Sequence, residues 1–564
     1  MLVDEYLKKI GEPIMSDFTG KSMKVHQAIA CALAENGVDT IFGLCGDANM
    51  FMVDSFVHDC RGKFVAAAHE AGSAMMALGY ALISGKVGIC SVTHGPALTN
   101  TVTALVEGVK GSIPMVLVCG DTAVEEREHN QNVPQRDIVV STGAGFEQLR
   151  SPRTAVEDVA RAMRRAIVER RPIALNVPYE FDFLEVEYRP VPVYVPESRA
   201  TITSSDDVDN AVGIIAAAKR PVVLAGRGAT SPEAKAAIVR LAKRIEAPLA
   251  TTLKGKDLFR GEDFNLGICG TLSTPVAVDV LMDSDCIITF GASLTPWTTS
   301  QGAFRKGKRI VQINLEPSEI GKSFPPDAGL VGDPAGTADI IVNWLNEAEI
   351  PPSGWYSDDL KSKIASYDPQ APRTDYDNGT VDVRGTLSWL DSVLPSDRIV
   401  VTDRGRFMLH AWTLISVPDP QSFLPSGNVG SIGLGFPHAV GAALAAPERP
   451  ILLVTGDGGF VHGGVAEFNT AVRYNLDLIT IVCNDSAYGA EISKFEEKYQ
   501  DRQMDSGLIA FDWPDFASVA KSLGGEGVTV RTQEDFAAAV DAINNRRRPL
   551  LIDIKLDPSR MAAK

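Results

Sequence analysis

The sequence predicts an α/β protein made of three doubly wound domains, each with a parallel sheet. Its 564 residues are too many for a single hydrophobic core, so two to four domains are expected. Apolar segments of strand length alternate with helical segments along the chain, which is typical of parallel sheets covered by helices. Two polar stretches that contain several prolines divide this pattern into three blocks of similar size.

Those two stretches set the predicted domain boundaries. The first domain covers residues 1–187, and the linker YRPVPVYVPESRA follows at 188–200. A central, Rossmann-like domain covers 201–348, a longer linker covers 349–379, and the third domain covers 380–564. Each domain is expected to hold one doubly wound sheet of its own.

Each block contributes four or five apolar segments as strands. The first has TIFGLCG, KFVAAAHE, VGICSVTHG, PMVLVCG and PIALNVP. The second has PVVLAGRG, PLATTL, CIITFGA and RIVQINL, and the third has RIVVTDRG, ILLVTGDGG, LITIVCND and PLLIDIKL. Near-continuous apolar runs of this length are typical of strands buried on both faces of a parallel sheet.

Composition excludes several classes of protein. Hydrophobic residues make up 45% and charged residues 22% of the chain, which excludes a disordered protein. The net charge of −17 argues against a nucleic acid or an anionic membrane as partner. The opening MLVDEYLKKIGEP lacks the apolar core of a signal peptide, no apolar run reaches membrane-spanning length, and the eight cysteines form no CxxC pair. We therefore expect a cytoplasmic protein with reduced thiols.

A glycine-rich loop in the third block is the most informative segment. The apolar run 451–455 predicts a buried strand, and Asp457 stands at its carboxyl end. Three glycines let the backbone turn sharply and approach an anion: Gly456, Gly458 and Gly459. A helix predicted from about Gly464 to Tyr474 would offer free N–H groups to phosphate. The loop therefore predicts a diphosphate site.

A second strand, predicted over Leu476 to Cys483, delivers two polar residues to the same sheet edge. These are Asn484 and Asp485. Oxygen ligands from two strand ends beside a diphosphate are what Mg²⁺ prefers, so the segment predicts a magnesium site with Asp457 as a ligand.

Four motifs in order resemble those of the thiamine diphosphate enzymes of the acetohydroxyacid synthase, pyruvate decarboxylase and benzoylformate decarboxylase superfamily. They are HEAGSAMMALGYA, THGPALTN, SGNVGSIGLGFPHAVGAAL, and the GDG loop with ND about 25 residues later. The resemblance covers nearly the whole chain. It implies a first domain that binds the pyrimidine of thiamine diphosphate and a third that binds the diphosphate and Mg²⁺. It also implies a homodimer or homotetramer whose active sites are shared between chains.

The resemblance leaves two registers open for the metal ligand after the second strand. Counting from Asp457 favours Asn484, whereas NDSAYGAE aligns better with relatives when Asp485 takes that place. A backbone carbonyl at Ser486 or Ala487 would complete the protein's share of the ligands.

Further cofactor residues follow from the same resemblance. Glu70 matches the glutamate that bonds the pyrimidine N1′ and helps the cofactor lose its C2 proton, and burial should raise its pKa. Ile432 matches the residue that holds the cofactor bent, with the Gly430 backbone beside the pyrimidine. Gly405 and Arg406, in TDRGRF with Asp403, would lie near the diphosphate. The alternatives are a carboxylate at a helix N-terminus for Glu70, an ordinary core residue for Ile432 and a surface cation for Arg406.

Substrate-side residues are also implied by the resemblance. Asp47 lies in a GDxN turn of the decarboxylase type, and Glu491 matches a glutamate that protonates the intermediate left after decarboxylation. His94 precedes the GPA turn, while His129 and Gln135 lie in a polar loop that could face the substrate. Each could instead stabilise its own loop or a helix cap.

The predicted function is a Mg²⁺- and thiamine diphosphate-dependent enzyme that decarboxylates a 2-oxo acid, with carboligation as a further outcome. Alternatives are an acetolactate synthase-like carboligase, a 2-hydroxyacyl-CoA lyase and a non-catalytic cofactor-binding subunit. The central block contains LAGRGA, which could hold a nucleotide, but it lacks the full set of flavin contacts, which argues against FAD. The chain also lacks the longer tail that grips CoA in some relatives, which disfavours the lyase.

Overall fold

The computed structural model describes most of the chain. The described residues are 18–126, 128–196, 206–368, 373–499 and 501–560. The predicted absence of a signal peptide falls on residues 1–17, and parts of both predicted linkers, 197–200 and 369–372, also lie outside the described residues.

The first domain holds a six-stranded parallel sheet with the order β3-β2-β4-β5-β7-β6. Its strands are β2 (Thr40–Gly43), β3 (Lys63–Ala66), β4 (Gly88–Val92), β5 (Met115–Asp121), β6 (Gly145–Gln148) and β7 (Pro172–Pro178), and an antiparallel pair is formed by β1 (Ser22–Lys24) and β8 (Glu185–Glu187). Its helices are α1 (Val25–Glu35), α2 (Met50–His58), α3 (Glu70–Ser84), α4 (Pro96–Asn100), α5 (Val102–Gly111), α6 (Gln135–Ser141) and α7 (Ala155–Glu169).

The central domain has the strand order of a dinucleotide-binding fold. Its parallel sheet runs β11-β10-β9-β12-β13-β14. The strands are β9 (Pro221–Ala225), β10 (Leu249–Thr251), β11 (Asn265–Ile268), β12 (Cys286–Phe290), β13 (Arg309–Asn314) and β14 (Ala328–Val331). The helices are α8 (Asp206–Ala217), α9 (Pro232–Ile245), α10 (Pro275–Asp283) and α11 (Pro334–Glu347), and α12 (Asp358–Ser366) follows within the second predicted linker.

The third domain repeats the strand order of the first, as β18-β17-β19-β20-β22-β21. The strands are β17 (Ile399–Thr402), β18 (Phe423–Pro425), β19 (Ile451–Gly456), β20 (Leu478–Asn484), β21 (Glu526–Val530) and β22 (Leu550–Lys555), preceded by the short antiparallel pair β15 (Asp375–Tyr376) and β16 (Thr380–Val381). The helices are α13 (Val383–Val393), α14 (Met408–Leu414), α15 (Gly435–Ala445), α16 (Val465–Arg473), α17 (Gly489–Lys498), α18 (Phe516–Ser522) and α19 (Asp535–Asn545). Three parallel sheets flanked by helices confirm the predicted fold class.

The first and third domains share one core, in which α3 packs against α15. A Cβ at Gly79 would collide with the His438 carbonyl, and a Cβ at Gly441 would collide with the Met76 carbonyl. Later residues of one helix thus meet earlier residues of the other, so the two helices run antiparallel. The glycines allow their backbones to approach closely.

The first predicted linker begins packed against the first domain. Tyr188 is fully buried and donates a hydrogen bond to Glu35 at 2.7 Å, so the first linker begins on the surface of the first domain.

All eight cysteines are free, six of them buried, while Cys45 is exposed and Cys60 is partly exposed. Within the described residues, no helix is long and apolar enough to cross a membrane.

Candidate functional site

The candidate site lies where the strand order of the third sheet reverses, between β17 and β19. Ligands of doubly wound sheets bind at such a switch point, beyond the carboxyl ends of the strands. Asp457 follows β19 directly and is 3% exposed. One oxygen accepts the Gly458 amide at 2.8 Å, and the other accepts the Ala487 amide at 3.1 Å and the Trp513 indole at 3.0 Å. The carboxylate is therefore fixed in place.

A second buried acid, Asp485, stands close to Asp457. Burial and the negative charge of Asp485 raise the pKa of Asp457 to about 7. Burial also raises the pKa of Asp485, although an ion pair with the Arg406 guanidinium at 2.5 Å opposes that rise. Two buried carboxylates beside a single guanidinium still carry a net negative charge, so this oxygen-rich pair suits a divalent metal.

Asn484 is directed to a different part of the sheet. Its amide nitrogen donates to Asp553 on β22 at 2.9 Å, and its oxygen accepts the Ser486 amide at 3.1 Å. Both ends of the side chain are thus used within the fold. Of the two registers that the sequence left open, this geometry favours Asp485 as the partner of Asp457.

The two registers can be separated by mutation. We expect Asp485→Ala to abolish metal-dependent binding of thiamine diphosphate, because it removes one of the two acids that would hold a cation here. Asn484→Ala should leave that binding within a few-fold of the wild type and instead lower thermal stability, because it removes one of the hydrogen-bond donors to buried Asp553. Calorimetric titration at several Mg²⁺ concentrations, paired with thermal unfolding, checks both; the reverse assignment would restore Asn484 as the ligand.

The glycine loop differs from the predicted helix boundary. Helical structure begins at once after β19, as a turn over Asp457–Gly459 and a π-helical segment over Phe460–Gly464, and it continues into α16. The N-terminal amides of this helical structure therefore lie beside Asp457, not near Gly464, and the Gly458 amide donates to the Asp457 side chain.

Close packing explains why glycine is needed there. A Cβ at Gly458 would collide with the Tyr488 ring, and a Cβ at Gly459 would lie 2.8 Å from the Asp403 carboxylate. The Nε of Arg406 is buried without a hydrogen-bond partner among the described residues, and it lies against Gly489 at the start of α17. A diphosphate oxygen is the kind of acceptor that such a donor needs.

Asp403 joins the end of β17 to the neighbouring loops. It is 1% exposed and accepts the Arg404 amide at 2.8 Å, the Gly433 amide at 2.9 Å and the Thr455 hydroxyl at 3.2 Å. Burial raises its pKa to about 6, although these donors oppose the rise. Asp403 therefore organises the site around it. Gly405, two residues later, has a φ of 152°.

The loop before α15 carries Gly430 and Ile432. Gly430 is exposed and has a φ of 88°, a conformation that favours glycine, and Ile432 is only half-buried. A partly exposed isoleucine next to an exposed glycine is not an ordinary core position. The preceding residues are held by Glu107 of the first domain, which accepts the Gly427 amide at 2.9 Å.

Glu70 is the first residue of α3, which agrees with the alternative of a carboxylate at a helix N-terminus. It is half-buried and accepts a hydrogen bond from the Asn100 side chain at 3.0 Å. The preceding residue, His69, caps the helix by accepting the Ala71 amide at 3.1 Å. The Glu70 carboxylate thus lies at the edge of the first domain, with room for a further partner.

Glu70 and Ile432 of one chain lie at opposite ends of the α3–α15 pair. Gly79 meets His438 near the start of α15, and Glu70 precedes Gly79 by nine residues. At 1.5 Å per residue, Glu70 is about 13 Å farther along the helix axis. These two residues are therefore separated within a single chain.

Asp47 and His94 meet at the switch point of the first sheet, between β2 and β4. Asp47 accepts the Thr93 hydroxyl at 2.9 Å and lies 4.0 Å from His94 Nδ1. Desolvation opposes ionisation of Asp47, but Thr93 and the charge of His94 prevail and lower its pKa. The His94 Nε2 is buried without a hydrogen-bond partner among the described residues. The His129 ring packs against the His94 ring, with 5.3 Å between the ring centroids.

Gln135 does not extend toward open space. It is 4% exposed; its oxygen accepts the Gly95 amide at 2.7 Å and its nitrogen donates to Gly120 and Asn176. This arrangement favours support of the His94–Gly95 turn over contact with a substrate. Glu491, in contrast, is exposed in the first turn of α17.

The metal-ligand candidates after β20 occupy a tight turn. Ser486 has a φ of 54°, and Ala487 is buried and pairs with Ala510. Among the described residues, no three histidine, cysteine, aspartate or glutamate side chains converge as a metal cluster. A cation here would therefore rely on Asp457, Asp485, a backbone carbonyl and the diphosphate.

Two basic residues of the central domain contact the other two domains: Arg227, in the LAGRGA turn, and Lys254, after β10. Arg227 donates to the Gly111 carbonyl at 2.7 Å, and Lys254 donates to the Asn428 side chain at 2.8 Å. Burial and the positive charge of Arg227 lower the pKa of Lys254 to about 8. Lys254 thus contacts the loop before Gly430, and Arg227 contacts the end of α5.

Sequence comparison agrees with all three domains. Residues 23–141 match the family described as "Thiamine pyrophosphate enzyme, N-terminal TPP binding domain", 208–341 match its central domain and 403–554 match its C-terminal TPP binding domain. The chain belongs to the thiamine pyrophosphate enzymes. Thiamine pyrophosphate is thiamine diphosphate, so the predicted superfamily and the organic cofactor are confirmed.

Relatives span nearly the whole chain. A probable acetolactate synthase large subunit of Methanocaldococcus jannaschii is 27% identical over 558 residues, 95% of this chain and 92% of its own. The acetolactate synthase isozyme 2 large subunit of Escherichia coli is 27% identical over 544 residues, 94% and 95% of the two chains. The sulfoacetaldehyde acetyltransferase of Castellaniella defragrans is 27% identical over 569 residues, 95% and 93%. This thiamine pyrophosphate enzyme is therefore similar to proteins named acetolactate synthase and to one named sulfoacetaldehyde acetyltransferase.

Proposed function

We propose that this enzyme uses Mg²⁺ and thiamine diphosphate to decarboxylate a 2-oxo acid and to transfer the resulting acyl group to a second carbonyl compound. Release of an aldehyde is the competing outcome. When bound, thiamine diphosphate would supply a nucleophilic carbon and an electron sink. The observation that carries the proposal is the pair of buried acids, Asp457 and Asp485, at the switch point of a sheet matched by the TPP binding domain.

In the proposed site, Asp457 and Asp485 hold Mg²⁺ together with a backbone carbonyl at Ser486 or Ala487. Arg406 and the backbone of the glycine loop after β19 would receive the diphosphate. The contacts of Trp513 and Ala487 with Asp457 hold that carboxylate in one orientation, which favours binding because little side-chain freedom is lost.

Glu70 is proposed to hold a proton at the pyrimidine N1′. A carboxylate fixed by Asn100 and by the start of α3 can act as an acid and base without leaving its place. Gly430 and Ile432 are proposed to contact the other side of the cofactor, where the exposed glycine allows close approach of the backbone.

Each site is proposed to combine two chains. The separation of Glu70 and Ile432 along the antiparallel helices supports this arrangement, because one chain cannot present both residues to one small cofactor. A two-fold dimer brings Glu70 of each chain to the loop of the other. A dimer of dimers would preserve the same pairs.

The reaction can be tested directly. Purified protein with Mg²⁺ and thiamine diphosphate should be given a panel of 2-oxo acids, alone and with second carbonyl compounds, while CO₂, aldehyde and ligation products are quantified together. We expect CO₂ release with more ligation product than aldehyde. Equal release of CO₂ and aldehyde would make the enzyme a simple decarboxylase, and turnover of 2-hydroxyacyl-CoA alone would make it a lyase. No turnover with bound cofactor would support the non-catalytic alternative.

Glu491 should affect product formation more than substrate consumption in the first turnover. Its exposed position in the first turn of α17, three residues after the Tyr488 whose ring packs on Gly458, suits a group that meets the partner chain or the substrate. We expect Glu491→Gln to release CO₂ in the first turnover yet to lower steady-state product formation about 100-fold. Rapid-quench measurement of both products checks this. Equal slowing of CO₂ release would assign Glu491 to substrate binding instead.

A further inference from the structure

Two buried glutamates occupy equivalent positions in the first and third domains. Glu107 lies on α5, after the third strand of its sheet in chain order, and Glu467 lies on α16, likewise after the third strand. They are 0% and 2% exposed. Carboxylates this deeply buried need several donors, and both find them in the other domain.

Glu107 holds the loop of the third domain that leads to Ile432. One oxygen accepts the Gly427 amide at 2.9 Å, and also the backbone amide and side-chain amide of Asn428 at 2.8 and 2.7 Å. The other oxygen accepts the Val429 amide at 2.8 Å. The backbone is thus fixed on three successive residues, directly before Gly430.

Glu467 does the same for the loop of the first domain that leads to Glu70. Its oxygens accept the Ala68 and His69 amides at 3.2 Å, and the Thr470 hydroxyl orients the carboxylate at 2.7 Å. A Cβ at Gly72 would collide with the same carboxylate. Ala68 and His69 are exposed, so this contact is a buried anchor beneath an exposed loop.

We propose that Glu107 and Glu467 are reciprocal positioning residues: each domain fixes, through its buried glutamate, the cofactor-facing loop of the other domain in the same chain. The inference rests on the proposed function of Glu70 and Ile432. Charge-assisted hydrogen bonds to consecutive amides set the loop backbone, and small displacements at a catalytic group cost much of its rate. Glutamine is a suitable test, because it keeps the shape of the side chain but loses the negative charge and one of the two acceptor oxygens.

The first experiment measures backbone hydrogen exchange by mass spectrometry in cofactor-free full-length protein. Glu467→Gln should increase exchange at least about tenfold in peptides covering residues 64–72 and leave 425–432 unchanged. Glu107→Gln should do the opposite. Glu448→Gln and Glu157→Gln, at exposed helix or loop positions, are the matched controls and should change neither loop. If Glu467→Gln does not fold, Thr470→Val provides the same test through loss of the orienting hydroxyl.

The second experiment uses mixed dimers and separates positioning from general destabilisation. Glu467 lies in the third domain, but the inference predicts that it acts on the Glu70 face. Mixing Glu467→Gln with Asp457→Ala chains should therefore restore activity, whereas mixing it with Glu70→Gln should not. A protein in which Glu467 only stabilises its own domain would give the reverse.

The inference would be overturned if backbone hydrogen exchange rose equally in both loops. It would also be overturned if activity returned only when Glu467→Gln chains were mixed with Glu70→Gln chains. The experiments distinguish failure of the positioning role from failure of the proposed function. If each variant changes backbone hydrogen exchange only in its expected loop but the protein turns over none of the tested substrates, the positioning role stands and the proposed function fails.

Discussion

Glu70→Gln is expected to lower kcat by about 100-fold to 10,000-fold, the range typical of losing a positioned acid–base group. The carboxamide keeps the shape of the side chain and its contact with Asn100, so the fold should be retained. Binding of thiamine diphosphate should change little. NMR-detected exchange of the C2 proton in the bound cofactor should slow in parallel with kcat.

The matched control is Glu107→Gln, which also replaces a glutamate of the first domain. This variant should mainly weaken cofactor binding, because Glu107 holds the loop before Gly430 and does not carry a proton in the proposed reaction. C2-proton exchange at the wild-type rate in Glu70→Gln would remove Glu70 from the reaction.

Asp457→Ala is expected to abolish cofactor binding at ordinary Mg²⁺ concentrations. The change removes a metal ligand and leaves the diphosphate charge without compensation, so the loss should exceed the 10- to 100-fold that is typical of outer-shell partners. Titration of thiamine diphosphate at fixed Mg²⁺ measures this loss, and a large excess of Mg²⁺ should recover only part of it.

A matched control for Asp457→Ala is Trp513→Phe, which removes only one hydrogen bond to the carboxylate. It should weaken binding by a smaller factor, about tenfold at most. Unchanged affinity in Asp457→Ala would place the metal elsewhere.

The predicted strands were found, and those missed lie at the edges of the sheets. Central strands such as β19 and β20 are buried on both faces and appear as continuous apolar runs. In the three parallel sheets the missed strands are β6, β11, β14, β18 and β21, and each is an edge strand. The strands of the two short antiparallel pairs, β1 with β8 and β15 with β16, were not predicted either. An edge strand such as β11 (Asn265–Ile268) is half-exposed, so its sequence lacks the apolar run.

How much of the site could be predicted depends on whether the signal lies within one stretch of the sequence. Asp457 and the glycines could be predicted because strand, loop and ligand follow one another along the chain. Trp513, Glu107 and Glu467 were missed because each acts on a residue distant in sequence, and nothing local marks such a pairing. A lone glutamate in the apolar helix TVTALVEGVKG was the available signal for Glu107.

The central claim is that each active site joins the Glu70 face of one chain to the Asp457 face of another. Glu70→Gln and Asp457→Ala chains, inactive alone, should be mixed in equal amounts under conditions in which differently tagged chains are seen to exchange. Random pairing makes half of the dimers mixed, and each mixed dimer has one intact site, so about a quarter of wild-type activity should return. Confirmed exchange without recovery of activity, or an active species that sediments as a monomer, would contradict the account.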